Sequence, residues 1–229
     1  MLVIAIAVSG FWLFFTNSGY LLMLSKKYPF LGNQPTPNTI NPMDIPVGQY
    51  TEYSYYGVKF KVPWIGLVKQ LDRPGIGIQL SFRESKFVTV YDGDYLFNAY
   101  TADDVARVTP KIMAFFGNDV VNDKYKLYKT IFENTPDKIK ASASDKESAA
   151  RLALISIKAV ISGKAGTNKP VYSFTRENLK GFQIGSGNGA NGEPAVLYIF
   201  DSQNKLYNFS ISGTQGEIEY VIASIQFNK

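Results

Sequence analysis

From about residue 50 onward, apolar residues recur with period two on either side of a central block in which the period is close to 3.6. Val58, Phe60 and Val62 alternate with lysines and predict a first strand, stopped by Pro63. GIGIQLSF at 75–82 and KFVTVYDG at 86–93 predict a hairpin pair turning at Arg83-Glu84-Ser85. From Asp103 to Gly163 the spacing is helical, with Thr109-Pro110 as N-cap and first helical position of a helix that stops at Gly117. Lys124, Leu127, Tyr128, Ile131 and Phe132 mark a second helix, which Pro136 bars from continuing. A third opens on the capping box Ser144-Asp145-Lys146-Glu147 and carries the stripe Ala150, Ala153, Leu154, Ile157, Val160 and Ile161 up to Gly163. A second apolar line on it, Leu152, Ile155 and Ala159, implies burial around much of its circumference.

Strands return after Pro170 as VYSFTR, GFQIG, AVLYIF and LYNFSISG, the last two joined by the polar turn Asp201-Ser202-Gln203-Asn204-Lys205. Thr214-Gln215-Gly216-Glu217 is another capping box, followed by Ile218, Val221 and Ile222 at helical spacing and a short last strand at 224–227. Strands, a helical block, then strands with one late helix predict an α+β fold, an antiparallel sheet flanked by helices, over residues 50–229.

The run AVLYIF-DSQNK-LYNFSISG, its capped short helix and the terminal ASIQF resemble the C-terminal half of the PsbP-like fold, shared by the photosystem extrinsic subunit and a Ran-release factor. GVKFKVP at 57–63 is similar to the G-x-x-F-x-x-P opening of that fold. The resemblance implies a sandwich of helices and sheet over parts of residues 50–229; its motifs are structural, and the helical block at 103–163 is longer than the fold requires.

Two segments precede this region. Residues 2–25 carry no charge, and at about 1.5 Å per residue a helix of that length would cross a hydrocarbon core of roughly 30 Å. A single-pass anchor is expected, with Trp12 and Tyr20 lipid-facing or interfacial; the polar group Thr16, Asn17, Ser18 and Gly19 interrupts it, and a cleaved signal peptide is the competing reading. No Lys or Arg precedes the run, whereas Lys26 and Lys27 follow it, where a retained helix places them at the interface. The positive-inside tendency would put those lysines in the cytoplasm, while an anchor ahead of a folded domain often serves an exported one; the latter, an extracytoplasmic domain, is the expectation. Pro29, Pro35, Pro37, Pro42 and Pro46 make residues 28–49 a stiff, extended tether, with the domain beginning near Tyr50.

Composition narrows the function. With 15 Tyr and 16 Phe the chain suits a β-rich core, and its net charge of +5 is spread along the sequence rather than blocked, which argues against a nucleic-acid partner. It has no Cys and no His, which removes disulfides, thiolate nucleophiles, Ser-His catalysis and ordinary zinc sites.

Gly187-Asn188-Gly189-Ala190-Asn191-Gly192 spells G-x-G-x-x-G, a pattern that cradles pyrophosphate when a helix N-terminus follows. Here a strand-like run follows, so no nucleotide is expected, and Gly187, Asn188, Gly189 and Asn191 are read as a mobile loop able to contact a partner. Gly163-Lys164 has Lys158 where a P-loop needs Gly. Asp92, Asp94, Asp103 and Asp104 are the carboxylates open to acid-base or hard-cation chemistry, although a turn and a helix N-terminus also account for them. Tyr50, Tyr53, Tyr55 and Tyr56 form either a partner or interface surface or an edge strand packed on its own sheet, and Trp64 reads as core. The sequon Asn208-Phe209-Ser210 falls inside a predicted strand. These features favour a membrane-tethered, non-catalytic binding or assembly module with a protein or envelope partner and no cofactor; the alternative is a carboxylate- or metal-dependent hydrolase.

Overall fold

A computed structural model describes residues 36–42, 50–93, 95, 102–161, 169–187 and 193–228. The expected anchor, residues 2–25, lies outside them, as does the tether apart from residues 36–42. Among the described residues no helix is long and apolar enough to cross a membrane. The chain is α+β, and its described residues divide into a helical unit from within Tyr100–Asn168 and a sheet unit from Pro37–Ala99 and Lys169–Lys229.

In the helical unit, α1 (Ala102–Phe116) packs along α5 (Asp145–Ile161). Pro110 lies inside α1 rather than at its start, correcting the expected cap at Thr109. A proline costs its helix one hydrogen bond and a steric clash, yet the helix continues past it to fully buried Ile112 and on to Phe116. Short α2 (Asn118–Asn122) follows Gly117, which turns the chain at φ 90°. The Asp123 side chain then caps α3 (Lys124–Glu133), accepting from Lys126 N at 3.0 Å. Leu127, Tyr128, Ile131 and Phe132 are its buried stripe, as their spacing predicts. Pro136 ends that helix by opening α4 (Pro136–Lys140). On α5, Glu147 N donates to Ser144 Oγ at 3.2 Å while Glu147 Oε2 accepts from Ala143 N at 3.0 Å, a capping box displaced by one residue. Ala150, Ala153, Leu154, Ile155, Ile157 and Ala159 are all buried, while Leu152 and Ile161 of the predicted lines are half-buried.

The sheet unit holds β1 (Asn38–Thr39), β2 (Thr51–Tyr55), β3 (Val58–Val62), β4 (Lys69–Arg73), β5 (Gly77–Ser81), β6 (Phe87–Tyr91), β7 (Val171–Arg176), β8 (Leu179–Ile184), β9 (Ala195–Phe200), β10 (Leu206–Ser212), the helix α6 (Gln215–Ser224) and β11 (Gln226–Phe227). Eight strands form one sheet in the order β1-β7-β8-β9-β10-β6-β5-β4; β11, β3 and β2 form a second. The larger sheet is mixed rather than wholly antiparallel, because β1 runs parallel to β7, continued by Ile40 N donating to Ser173 O at 2.9 Å. Part of the Pro-rich segment therefore belongs to the sheet. The last strand starts at Gln226 rather than Ser224, which still ends α6 and receives Lys61 N on its hydroxyl at 2.8 Å. Alternation on β3 turns Val58, Phe60 and Val62 inward, where they meet Leu80, Val88, Leu197 and Phe209 of the large sheet and Ile218, Val221 and Ile222 of α6 in one core.

Candidate binding cleft

Strand register places the β7–β8 turn, the β9–β10 turn and the C-terminal end of α6 at the same end of the sheet unit. Between them lies a cleft of about 650 Å³ whose lining includes Lys61, Arg176, Asn178, Asp201, Gln203 and Phe227. Its walls are set by local rules. Arg176 pairs with Leu179 across a two-residue turn in which Glu177 takes φ 44°. Asp201 Oδ1 accepts from Gln203 N at 2.8 Å and Lys205 N at 2.9 Å, and Oδ2 accepts from Tyr207 Oη at 3.4 Å, so this carboxylate builds the turn. Phe227 stacks on Tyr207 with ring centroids 4.8 Å apart, and Lys205 Nζ lies 4.9 Å from the Tyr207 centroid. Arg176 Nη1 donates to Pro42 O at 3.2 Å. Two cations, Lys61 and Arg176, and two carboxylates, Glu177 and Asp201, thus line the same cleft. Such a wall suits a ligand carrying amides and charges of both signs.

The residues expected to make contacts lie elsewhere. Tyr53 packs on Phe60 at 6.0 Å, Phe82 at 6.1 Å and Tyr55 at 6.4 Å, and its burial raises the pKa of its phenol. Tyr55 Oη donates to Gln70 Oε1 at 3.3 Å. Tyr56 occupies the β2–β3 turn at φ 51°. Tyr53 and Tyr55 thus reach from the smaller sheet to Phe82, which follows β5, and to Gln70 of β4 in the larger one, while Tyr50 is 45% exposed with Lys61 Nζ 4.1 Å from its ring centroid.

The glycine-rich loop joins β8 to β9, strand to strand, as its flanks predict. Gly187 is buried: a Cβ there would stand 2.4 Å from Gly213 O and 2.5 Å from Ile218 Cδ1. The start of the loop is therefore packed against Gly213 and against Ile218 of α6. Asn188, Gly189 and Asn191 lie outside the described residues.

Asp92 is exposed in a turn, its N–H donating to Ile76 O at 3.0 Å and its carbonyl accepting from Tyr95 N at 3.2 Å. Asp94 is outside the described residues; the backbone of Asp103 and Asp104 lies in the first turn of α1. Among the described residues no three acidic side chains form a group able to hold a metal ion. Asn208 is fully buried within β10, its Nδ2 donating to Gly93 O at 3.3 Å, so the folded chain does not offer its sequon for modification.

Two arrangements escaped the sequence reading. Glu217, legible as a capping residue, also accepts from Trp64 Nε1 and Lys86 Nζ. Lys158, on the most buried helix, donates to Phe132 O at 2.7 Å and Asn134 O at 3.1 Å. A lysine inside an apolar stripe was the available signal for the second.

No protein-family model matches this chain, and no curated protein matches it.

Proposed function

We propose that the chain is a membrane-tethered, non-catalytic binding or assembly module, anchored by residues 2–25, exposed on the extracytoplasmic side, and binding a protein or envelope component in the cleft beside Arg176 and Gln203. The observation that carries the reading is that cleft, a concavity walled by hairpin turns and bearing charges of both signs beside turn amides. A PsbP-like fold belongs to the same proposal. It is supported by the β9–β10 hairpin, the capped α6 and the closing β11, and by β3 within GVKFKVP.

The test places a photo-crosslinking amino acid at Gln203 of the full-length chain in its native membrane, with Lys129, an exposed residue of α3, as control site. The reading expects one discrete adduct at Gln203, lost in a variant also carrying Arg176→Glu, and none at Lys129. Absence of a Gln203-specific adduct, or substrate turnover abolished by Asp92→Asn, overturns it.

A further inference from the structure

We propose that residues 65–68, Ile65-Gly66-Leu67-Val68, form a membrane-contact loop that inserts its aliphatic side chains into the interface of an anionic bilayer. This inference rests on the membrane-tethered reading above and adds the surface by which the folded part meets the lipid.

The loop leaves β3 after Trp64, which is buried, and enters β4 at Lys69. Ile65, Leu67 and Val68 expose 63%, 42% and 66% of their surfaces. Isolated exposed aliphatics are ordinary on any protein; three among four consecutive residues make a continuous patch. Its base is fixed at both ends. Trp64 Nε1 donates to Glu217 at the start, and Val68 N donates to Ser81 O at 2.8 Å at the open end of the β4–β5 hairpin. The aliphatic tip is therefore presented rather than collapsed onto the core.

Its rim is basic. Lys69 is exposed where β4 begins, and Arg83 Nε stands 3.8 Å from where a Cβ on Gly66 would lie. No Asp or Glu occurs between Pro63 and Leu71; Glu84 follows Arg83, and the Glu217 carboxylate beside Trp64 is paired with Lys86. An aliphatic tip flanked by Lys69 and Arg83 matches the boundary between acyl chains and anionic headgroups, where each basic residue adds electrostatic attraction. A second copy pairing along β4 is the competing occupant. The sequence of β4, KQLDR, is nearly all charged or polar, which discourages edge-to-edge pairing. The turn at 201–205 lies at the opposite end of β10 from Ser212, which pairs with Phe87 near the loop, so lipid contact here leaves the cleft facing away from the bilayer.

Because the chain has no cysteine, a single introduced thiol is a unique labelling site. Full-length Leu67→Cys, Val68→Cys and Ser202→Cys variants, each carrying an environment-sensitive nitrobenzoxadiazole dye, are incorporated into vesicles of phosphatidylcholine alone or of equimolar phosphatidylcholine and phosphatidylglycerol. The inference expects the chain to float with the vesicles. Dyes at 67 and 68 should shift to the blue and lose intensity to nitroxide-labelled lipid in the anionic vesicles, less so at high salt, while the dye at 202 stays aqueous. If the chain floats but dyes at 67 and 68 behave like that at 202, the loop inference is overturned and the anchor reading stands. A blue shift that grows with protein concentration without lipid assigns the patch to a second copy and also overturns it. If the chain does not float, the anchor reading fails and takes the inference with it.

Discussion

Trp64 and Glu217, 153 residues apart in sequence, are joined by a 2.8 Å hydrogen bond from the indole Nε1 to Oε1. The second carboxylate oxygen accepts from Lys86 Nζ and from Thr214 N, both at 2.7 Å. One side chain therefore ties the exit of β3, the β5–β6 hairpin and the N-terminus of α6 together. Burial alone would raise the carboxyl pKa, but the bonds from Lys86, Thr214 and Trp64 outweigh it and hold the group below its ordinary value.

Glu217→Ala removes the shared acceptor and leaves Lys86 and the indole unpaired in a partly buried site, and a loss of about 2–4 kcal/mol follows from the charged hydrogen bonds broken. Because the folded pKa is depressed, Glu217 stabilises fully above the unfolded carboxyl value of about 4.5, and that contribution is lost as pH falls through the lower folded value. Urea unfolding at neutral and acid pH checks both points. The gap between wild type and Glu217→Ala should narrow in acid; a gap independent of pH would remove the carboxylate from this role.

Gly187 and Gly216 should respond oppositely to alanine. Gly187 sits at φ 76° with Gly213 O and Ile218 Cδ1 inside contact distance of any added Cβ, so Gly187→Ala combines left-handed strain with a clash and should cost at least about 2 kcal/mol. Gly216, in the first turn of α6, has open space around it, and Gly216→Ala should gain up to about 1 kcal/mol of helix propensity. Paired thermal melts decide the matter; equal responses would mean that the start of the glycine-rich loop is not packed as described.

Several hairpin turns carry residues poorly matched to their backbone. Tyr56 at φ 51° precedes Gly57 at φ 83° in the β2–β3 turn, a two-residue geometry that favours Asn-Gly, and Glu177 at φ 44° occupies a position that favours Gly. Tyr56→Asn and Glu177→Gly should each stabilise by about 0.5–1 kcal/mol, visible as raised melting temperatures. A drop on Tyr56→Asn would show that the packing of its ring outweighs the turn strain. Glu177→Gly also tests the cleft, since it removes one of the two carboxylates there.

What the sequence made legible was local. The alternation of Val58, Phe60 and Val62, the stripe through Leu127 and Ile131, and the box at Thr214 and Glu217 each report a periodicity or a spacing of a few residues, and each forms as expected. Pro110 misled because a proline, although favoured at a helix start, can at a cost also lie inside a helix, as it does in α1. β4 was missed because its exposed edge position leaves KQLDR without an apolar alternation to read. β1 was missed because two residues cannot show a period and their pairing with Tyr172 and Ser173 is non-local. The cleft was missed for the same reason: Lys61, Arg176 and Asp201 come together only through strand register.

Lys158 carries the last prediction. It is fully buried on α5, and its Nζ donates to Phe132 O and Asn134 O, closing the C-terminal end of α3 as a helix-capping cation does. Burial, helped by the charge of Lys138, pulls its pKa from the ordinary 10.5 down to about 8. A lysine with a depressed folded pKa binds fewer protons folded than unfolded between those two values, so stability should rise as pH increases from about 8 towards 10.5 and be insensitive to this group below 8. Lys158→Met keeps the volume and removes the titration; it should abolish the alkaline rise while leaving two carbonyls of the α3 terminus without their donor. Denaturant unfolding across the alkaline range, with NMR of the lysine side-chain nitrogens to follow the proton, measures both. A Lys158 resonance titrating at the ordinary value would show that its two carbonyl bonds compensate fully for the loss of water.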